Sequence, residues 1–508
     1  MVDQIPGNVT ADVAEVAPQT LHSVATRLAK SFAIYGFANF GIRSLNFLLV
    51  LVYAHYLRPS DYGIIYLAEI VAGFLILFGN LSLDSALQRF YFQYNSDPAE
   101  LRNYLGTVIR FGMFMIGVLL ALALFCGDSI QIRLAGHADV PFYPYIAIAI
   151  VTAAATQGAQ YRLALYMAER RPKRYAMLSF LLFGLTALGS VYGVVILRRG
   201  AVGMLQGKLV AALLVFMVAM WSLRTLLTQF EWRFIRESLA FSLPLVPHQV
   251  MAGGLIVADR FILEHYRDLN EVGIYSLAYT IGMVMFLVTQ SLSQAWLPMF
   301  FELAGGSEGN RQALGRICSG LVVFLTAIGC IGMLLSPPLI HIALDYRYHA
   351  AIRIVPFVIM GYLFHALFSL LNLSIMHAKR TQFVFLISLM AFSVNLALNF
   401  AMIPRWGMYG AAWATTIAYG VEAMGAYIFA QRFFRLPYRR TELFACLGVS
   451  GVALWLTQSN WIFRWHGSLF VFCTFASLAI LTLVGGRDLW LTIAMIRSRR
   501  KPGAQATV

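Results

Sequence analysis

The chain has 508 residues, of which 60% are hydrophobic and 12% charged, and its 38 Lys and Arg outnumber 23 Asp and Glu for a net charge of +15. At a mean hydropathy of +0.72 it is too apolar to be a soluble protein of this length, and it belongs in a bilayer. The basic balance then reads first as membrane topology and makes no case for nucleic acid.

Residues 1–30 carry Asp3, Asp12 and Glu15 without an apolar core, which excludes a signal peptide and predicts a cytoplasmic N-terminal segment. Apolar runs of spanning length follow at 31–57, 62–83, 104–126, 143–167, 176–197 and 201–223. A cytoplasmic linker at 224–240 leads to a second set at 241–263, 273–300, 317–344, 354–377, 383–403 and 407–430. Residues 431–486 hold two further runs, 443–460 and 466–486, and a cytoplasmic basic tail covers 487–508. The runs are continuous and do not alternate, so a transmembrane barrel is excluded. The predicted fold is an all-α polytopic membrane protein of about 14 helices: six-helix bundles over 31–223 and 241–430, and two additional C-terminal helices.

Of the 38 Lys and Arg, 24 fall on the even loops and the termini and nine on the odd loops. That bias predicts both termini in the cytoplasm. Cys126, Cys318, Cys330, Cys446 and Cys473 stand apart in apolar segments without CxxC spacing, which suits small core residues better than a redox or zinc site. The loops are too short to fold as domains, and no P-loop, GxSxG or HExxH occurs. Both facts count against a membrane glycosyltransferase or polymerase.

The sequence also repeats. At offset 210, Tyr56, Gly63, Ile64, Leu67, Ala68, Leu87 and Phe90 recur as Tyr266, Gly273, Ile274, Leu277, Ala278, Leu297 and Phe300. At offset 209, Met167, Arg170, Arg171 and Ser179 face Met376, Lys379, Arg380 and Ser388. At offset 207, Arg198, Gly200, Gly203 and Ala211 face Arg405, Gly407, Gly410 and Ala418. Ordered islands at nearly one offset are the pattern of a duplicated transporter.

Four segments carry a family resemblance: Tyr56-Leu57-Arg58-Pro59-Ser60-Asp61-Tyr62-Gly63-Ile64, Gln88-Arg89-Phe90-Tyr91, the stretch from Ser242 to Pro298, and Arg405-Trp406-Gly407-Met408-Tyr409-Gly410-Ala411-Ala412. Within the third lie Pro244, Pro247, Asp259-Arg260-Phe261 and Ser293-Gln294-Ala295-Trp296. Together they resemble the polysaccharide flippase branch of the multidrug/oligosaccharidyl-lipid/polysaccharide exporter superfamily, over about residues 30–440. The resemblance implies two bundles around a cavity that opens to either side in turn. It implies translocation of undecaprenyl-diphosphate-linked oligosaccharide across a bacterial inner membrane. A polysaccharide polymerase and chain-length machinery would be partners, and no cofactor is implied beyond ion or proton coupling. Same-fold rivals are a peptidoglycan lipid-precursor flippase and a drug/cation antiporter.

Ionisable residues inside spans are costly and mark candidate sites. Arg43 lies about 18 Å into the first span and is the first choice for a diphosphate, whose oxygens suit a guanidinium fork. Arg110, Arg162 and Lys208 extend a cationic path, although snorkelling explains each of them nearly as well. Glu69 and Glu422 read as ion-pair or proton-carrying carboxylates, with pairing favoured. His248 and His365 read as hydrogen-bonded core histidines. By resemblance, a monovalent cation site falls on Asp259, Asn395, Asn399 and Thr415. Arg260, next to Asp259, competes as its ion-pair partner, and Asn399 supplies an amide where a second carboxylate is expected.

Overall fold

The computed structural model describes residues 41, 42, 45, 46, 48–135, 140–226, 229–304, 308–437 and 440–459. Arg43, the 1–30 segment, most of the first expected span, the 466–486 span and the 487–508 tail lie outside these residues. All regular structure among the described residues is helical.

Helix α1 comprises residues 48–56. It is followed by α2 (Pro59–Asn80), α3 (Leu83–Tyr94), α4 (Pro98–Ala135), α5 (Ala147–Ala168), α6 (Pro172–Val191) and α7 (Gly200–Leu223). Pro59 and Pro172 open α2 and α6 at the first helical position, where a missing N–H costs nothing. Leu81 and Ser82 take left-handed backbone and separate α2 from α3. Helix α8 (Trp232–Ser242) sits in the expected linker. It is too short to span, it turns Phe234 and Ile235 inward, and it packs on α3 and α4 with Tyr104 hydrogen-bonded to Ser238 at 3.1 Å.

The second set begins with α9 (Leu245–Tyr266), α10 (Leu269–Gly282) and α11 (Val284–Ala304). It continues through α12 (Glu308–Ala343), α13 (Ala351–His377), α14 (Thr381–Trp406), α15 (Met408–Phe433) and α16 (Arg440–Gln458). Ten helical stretches among the described residues are long and apolar enough to cross a membrane. The expected number of fourteen is not reached by that measure. Helices α9 and α15 are not among the ten. They carry Asp259, Arg260, Thr415 and Glu422, and these polar groups lower their hydropathy while being buried inside the protein.

The repeat has a backbone counterpart. Arg170 and Lys379 both have positive φ (55° and 56°). Each closes its helix with the same bonds: Arg171 N to Tyr166 O at 2.9 Å, and Arg380 N to Ile375 O at 3.2 Å. Gly200 and Gly407 share φ of 56° and 55°, and a carboxylate stands over each. An ideal Cβ would lie 3.2 Å from Asp61 Oδ1 at Gly200 and 2.2 Å from Glu271 Oε2 at Gly407. Asp61 and Glu271 are themselves 210 apart, and Glu271 Oε2 accepts the N–H of Met408 at 2.9 Å, neutralising an orphan donor at the start of α15.

Helices α2 and α10 pack on each other through the repeated glycines. A Cβ on Gly63 would meet Leu269 O at 2.3 Å, and one on Gly273 would meet Pro59 O at 1.7 Å, so only bare backbone permits this approach. Near the same end, Tyr348 OH donates to Leu57 O at 3.0 Å and Arg347 Nη2 to His55 O at 3.4 Å. Here the loop between α12 and α13 holds the end of α1.

Candidate functional site

Two polar groups flank the α2–α10 contact, one partly exposed and one buried. On the N-terminal side, Lys208 Nζ lies 2.5 Å from Glu69 Oε1, with side chains 20% and 39% exposed. Glu69 is the eleventh residue of α2 and Lys208 the ninth of α7, so both stand near mid-helix. Three residues before Glu69, Tyr66 hydroxyl meets Thr280 Oγ1 of α10 at 2.5 Å. The carboxylate therefore sits about one turn beyond a point where the two sets of helices still touch.

On the C-terminal side, Asp259 is fully buried. Its Oδ1 accepts from Arg260 Nη1 at 2.9 Å, and its Oδ2 accepts from Tyr275 OH at 2.5 Å and from Thr415 Oγ1 at 3.5 Å. Asn395 Nδ2 donates to Thr415 Oγ1 at 3.3 Å, and Asn399 Nδ2 to Asn395 Oδ1 at 2.9 Å. The four residues expected to surround a cation are thus one connected set. Asn399 Oδ1 is buried without a hydrogen-bond partner among the described residues, as a cation ligand would be. The charge balance does not fit a monovalent ion: Asp259 is the one carboxylate in the set, and Arg260 already neutralises it. The Arg260 guanidinium also lies 4.5 Å over the Tyr279 ring and 5.3 Å over Tyr275.

A file of aromatic rings leads away from this set: Tyr275 to Tyr279 (5.9 Å), Tyr279 to Tyr362 (5.6 Å), Tyr362 to Tyr419 (6.0 Å) and Tyr419 to His365 (5.3 Å). It ends where His365 Nδ1 is 3.0 Å from Glu422 Oε2, that carboxylate being 4% exposed. Sequence reasoning weighed His365 and Glu422 separately and missed their pairing, since nothing in a spacing of 57 residues announces it. It also missed Asp61 and Glu271, whose shared offset was the available signal.

Arg162 and Arg110 lie elsewhere. Arg162 pairs with Glu169 at 3.1 Å near the C-terminal end of α5 and stacks 4.0 Å over Tyr166. Arg110 donates from Nε to Gly106 O at 3.0 Å within α4, with its guanidinium 5.7 Å from the Phe230 ring. Neither is brought to Glu69, Lys208 or Asp259. The side chain of His248 lies outside the described residues. An apolar cavity of about 470 Å³ between α12, α13, α15 and α16, lined by Leu363, Leu367, Tyr427 and Leu447 among others, holds none of the charged candidates.

Outside the spans, Asp345 accepts from Arg347 Nε at 2.8 Å and from Arg347 N at 3.0 Å. The guanidinium and then the backbone N–H hold its carboxyl below the usual range.

A family model described as polysaccharide biosynthesis protein matches residues 28–304. Lsg locus putative protein 1 of Haemophilus influenzae is 20% identical over 292 residues, which is 54% of this chain and 66% of that protein, just under two thirds of its length. Among solved structures, the lipid II flippase MurJ in an inward closed conformation is similar with a TM-score of 0.70 at 16% identity, covering 92% of this chain and 100% of that one. The MATE transporter VcmN of Vibrio cholerae is similar at 0.57 and 13% identity, covering 82% and 98%. These similarities show a common helical fold.

Proposed function

The chain belongs to the polysaccharide biosynthesis protein family, and from that premise we propose that it is a flippase carrying undecaprenyl-diphosphate-linked oligosaccharide across the bacterial inner membrane by alternating access. In this reading, residues 31–223 and 241–430 are two bundles joined by the 224–240 linker, with 431–486 appended and both termini cytoplasmic. A polysaccharide polymerase and chain-length machinery receive the product.

The observation that carries the reading is the Glu69–Lys208 pair. A saccharide and diphosphate cannot enter hydrocarbon without replacing their water, so a carrier needs polar groups at mid-depth in a cleft sheltered from lipid. Glu69 and Lys208 are partly exposed beside the contact between the two sets of helices, where facing lipid would be prohibitively costly. Arg43, Arg110 and Arg162 are proposed as further cationic positions along the path. A drug or cation antiporter would want a net negative cleft, whereas Glu69 and Asp259 are each matched by a cation.

The test is reconstitution of the full chain in liposomes containing a lipid-linked oligosaccharide, with glycosidase access to the sugar read from outside. Protein-dependent exposure of the protected pool supports transport. No change in that pool refutes it, and sugar transfer by the purified protein would replace it with an enzyme.

A further inference from the structure

Glu69 is an odd component for a path that must attract an anion. Lys208 by itself would draw any negatively charged headgroup, including the phosphodiesters of the surrounding phospholipids. With Glu69 Oε1 at 2.5 Å its charge is already satisfied. Neither side chain is locked away: at 39% and 20% exposure, both are open to exchange. The ammonium keeps further N–H donors, so an incoming anion can touch it, but the anion gains the full charge of Lys208 only by displacing the carboxylate, which then stays nearby as an unpaired negative charge. A headgroup with one negative charge offers Lys208 no more than Glu69 already does. A diphosphate diester carries two charges and several acceptor oxygens, so it retains a surplus after the exchange.

We propose that Glu69 is a specificity-determining residue, which holds Lys208 until a lipid diphosphate displaces it and thereby excludes singly charged phospholipid headgroups from the cleft. This rests on the flippase reading above and adds to it the residue that tells the diphosphate from a singly charged headgroup. The carboxylate works through Lys208, as a competitor with a fixed address. The exchange moves no proton and breaks no covalent bond. Tyr66 and Thr280, one turn away, tie this position to the α2–α10 contact, so the exchange takes place beside the joint between the two sets of helices.

Two probes with the same sugar separate the charges: glycosylated farnesyl diphosphate, with two negative charges, and glycosylated farnesyl phosphate, with one. Binding to the purified full-length protein is measured for both. The wild type should prefer the diphosphate by about tenfold, a ratio set by one extra unit of charge at a partly shielded pair. Glu69→Gln should reduce that ratio to below about threefold, mainly by tightening the singly charged probe, and Glu69→Asp should restore most of it. In liposomes, Glu69→Gln should also admit fluorescent phosphatidylglycerol, which the wild type rejects. A wild-type ratio near one, or a ratio unchanged in Glu69→Gln, overturns the assignment. If the wild type moves no lipid-linked oligosaccharide while the binding ratio holds, the flippase reading falls and the charge selectivity stands.

Discussion

Gly273→Ala adds one methyl group where α10 meets α2. Its carbon would stand 1.7 Å from the Pro59 carbonyl oxygen and 3.0 Å from Gly63 N. Carbon and carbonyl oxygen rest at roughly 3.3 Å, so the helices must part by about 1.6 Å at this point. The obstacle is main chain on a helix, which has no rotamer through which to yield. Overpacking of this kind costs about 1–3 kcal/mol, enough to shift a two-state balance roughly 5- to 150-fold away from the closed contact. Spin labels at Arg58→Cys and Asp268→Cys, on a background without the native cysteines, report the separation of the two helix starts by pulsed electron resonance in liposomes. The long-distance population should grow in Gly273→Ala and in Gly63→Ala, whose Cβ would meet Leu269 O at 2.3 Å. Gly73→Ala serves as the control, because a Cβ there meets nothing within 4 Å. A Gly273→Ala distance distribution identical to that of the Gly73→Ala control refutes the reasoning.

Arg260→Met should destabilise the protein by about 3–5 kcal/mol, because it leaves the fully buried Asp259 without its ion-pair partner. A large drop in Tm that Asp259→Asn partly reverses is the expected pattern, and an unchanged Tm would contradict it. Gly407→Ala should lower Tm more than Gly200→Ala. Both would hold a side chain at positive φ, at a cost of about 1–3 kcal/mol, but only at Gly407 does the methyl group collide with a carboxylate, at 2.2 Å against 3.2 Å. Asp345, its carboxyl held low by Arg347, contributes stability above the ordinary carboxylate range and loses it as pH falls through the lowered value. Wild type and Asp345→Asn should therefore differ in Tm at neutral pH and converge in acid below that window.

Helix positions were legible because hydrocarbon enforces them. The runs 201–223 and 354–377 became Gly200–Leu223 and Ala351–His377, each bounded by residues too polar for the membrane core. Hydropathy did not reveal α8, whose amphipathic face needs α3 and α4 to define it, nor the break at Met283 that divides the run 273–300 into α10 and α11. The Asp259 set was found through family resemblance, since two of its members, Asn395 and Asn399, share one helix face. Lys208 was chosen for its charge and depth alone. That its partner would be Glu69, 139 residues away, depends on how α2 and α7 cross, and no local pattern encodes that.

The hydrogen bonds that join the α12–α13 loop to α1 end on the carbonyls of His55 and Leu57. These are last-turn carbonyls, which a helix leaves without an internal partner and which water accepts as readily as a protein donor. Were this joint to part, as the proposed alternating access requires, the vacated acceptors could be hydrated at once. The glycine contact beside them is main chain against main chain, at Gly63 against Leu269 O and Gly273 against Pro59 O. On the alternating-access reading proposed above, the α12–α13 loop would thus act as a latch on α1 whose release exchanges protein donors for water, a small free-energy difference of the size that one substrate can supply.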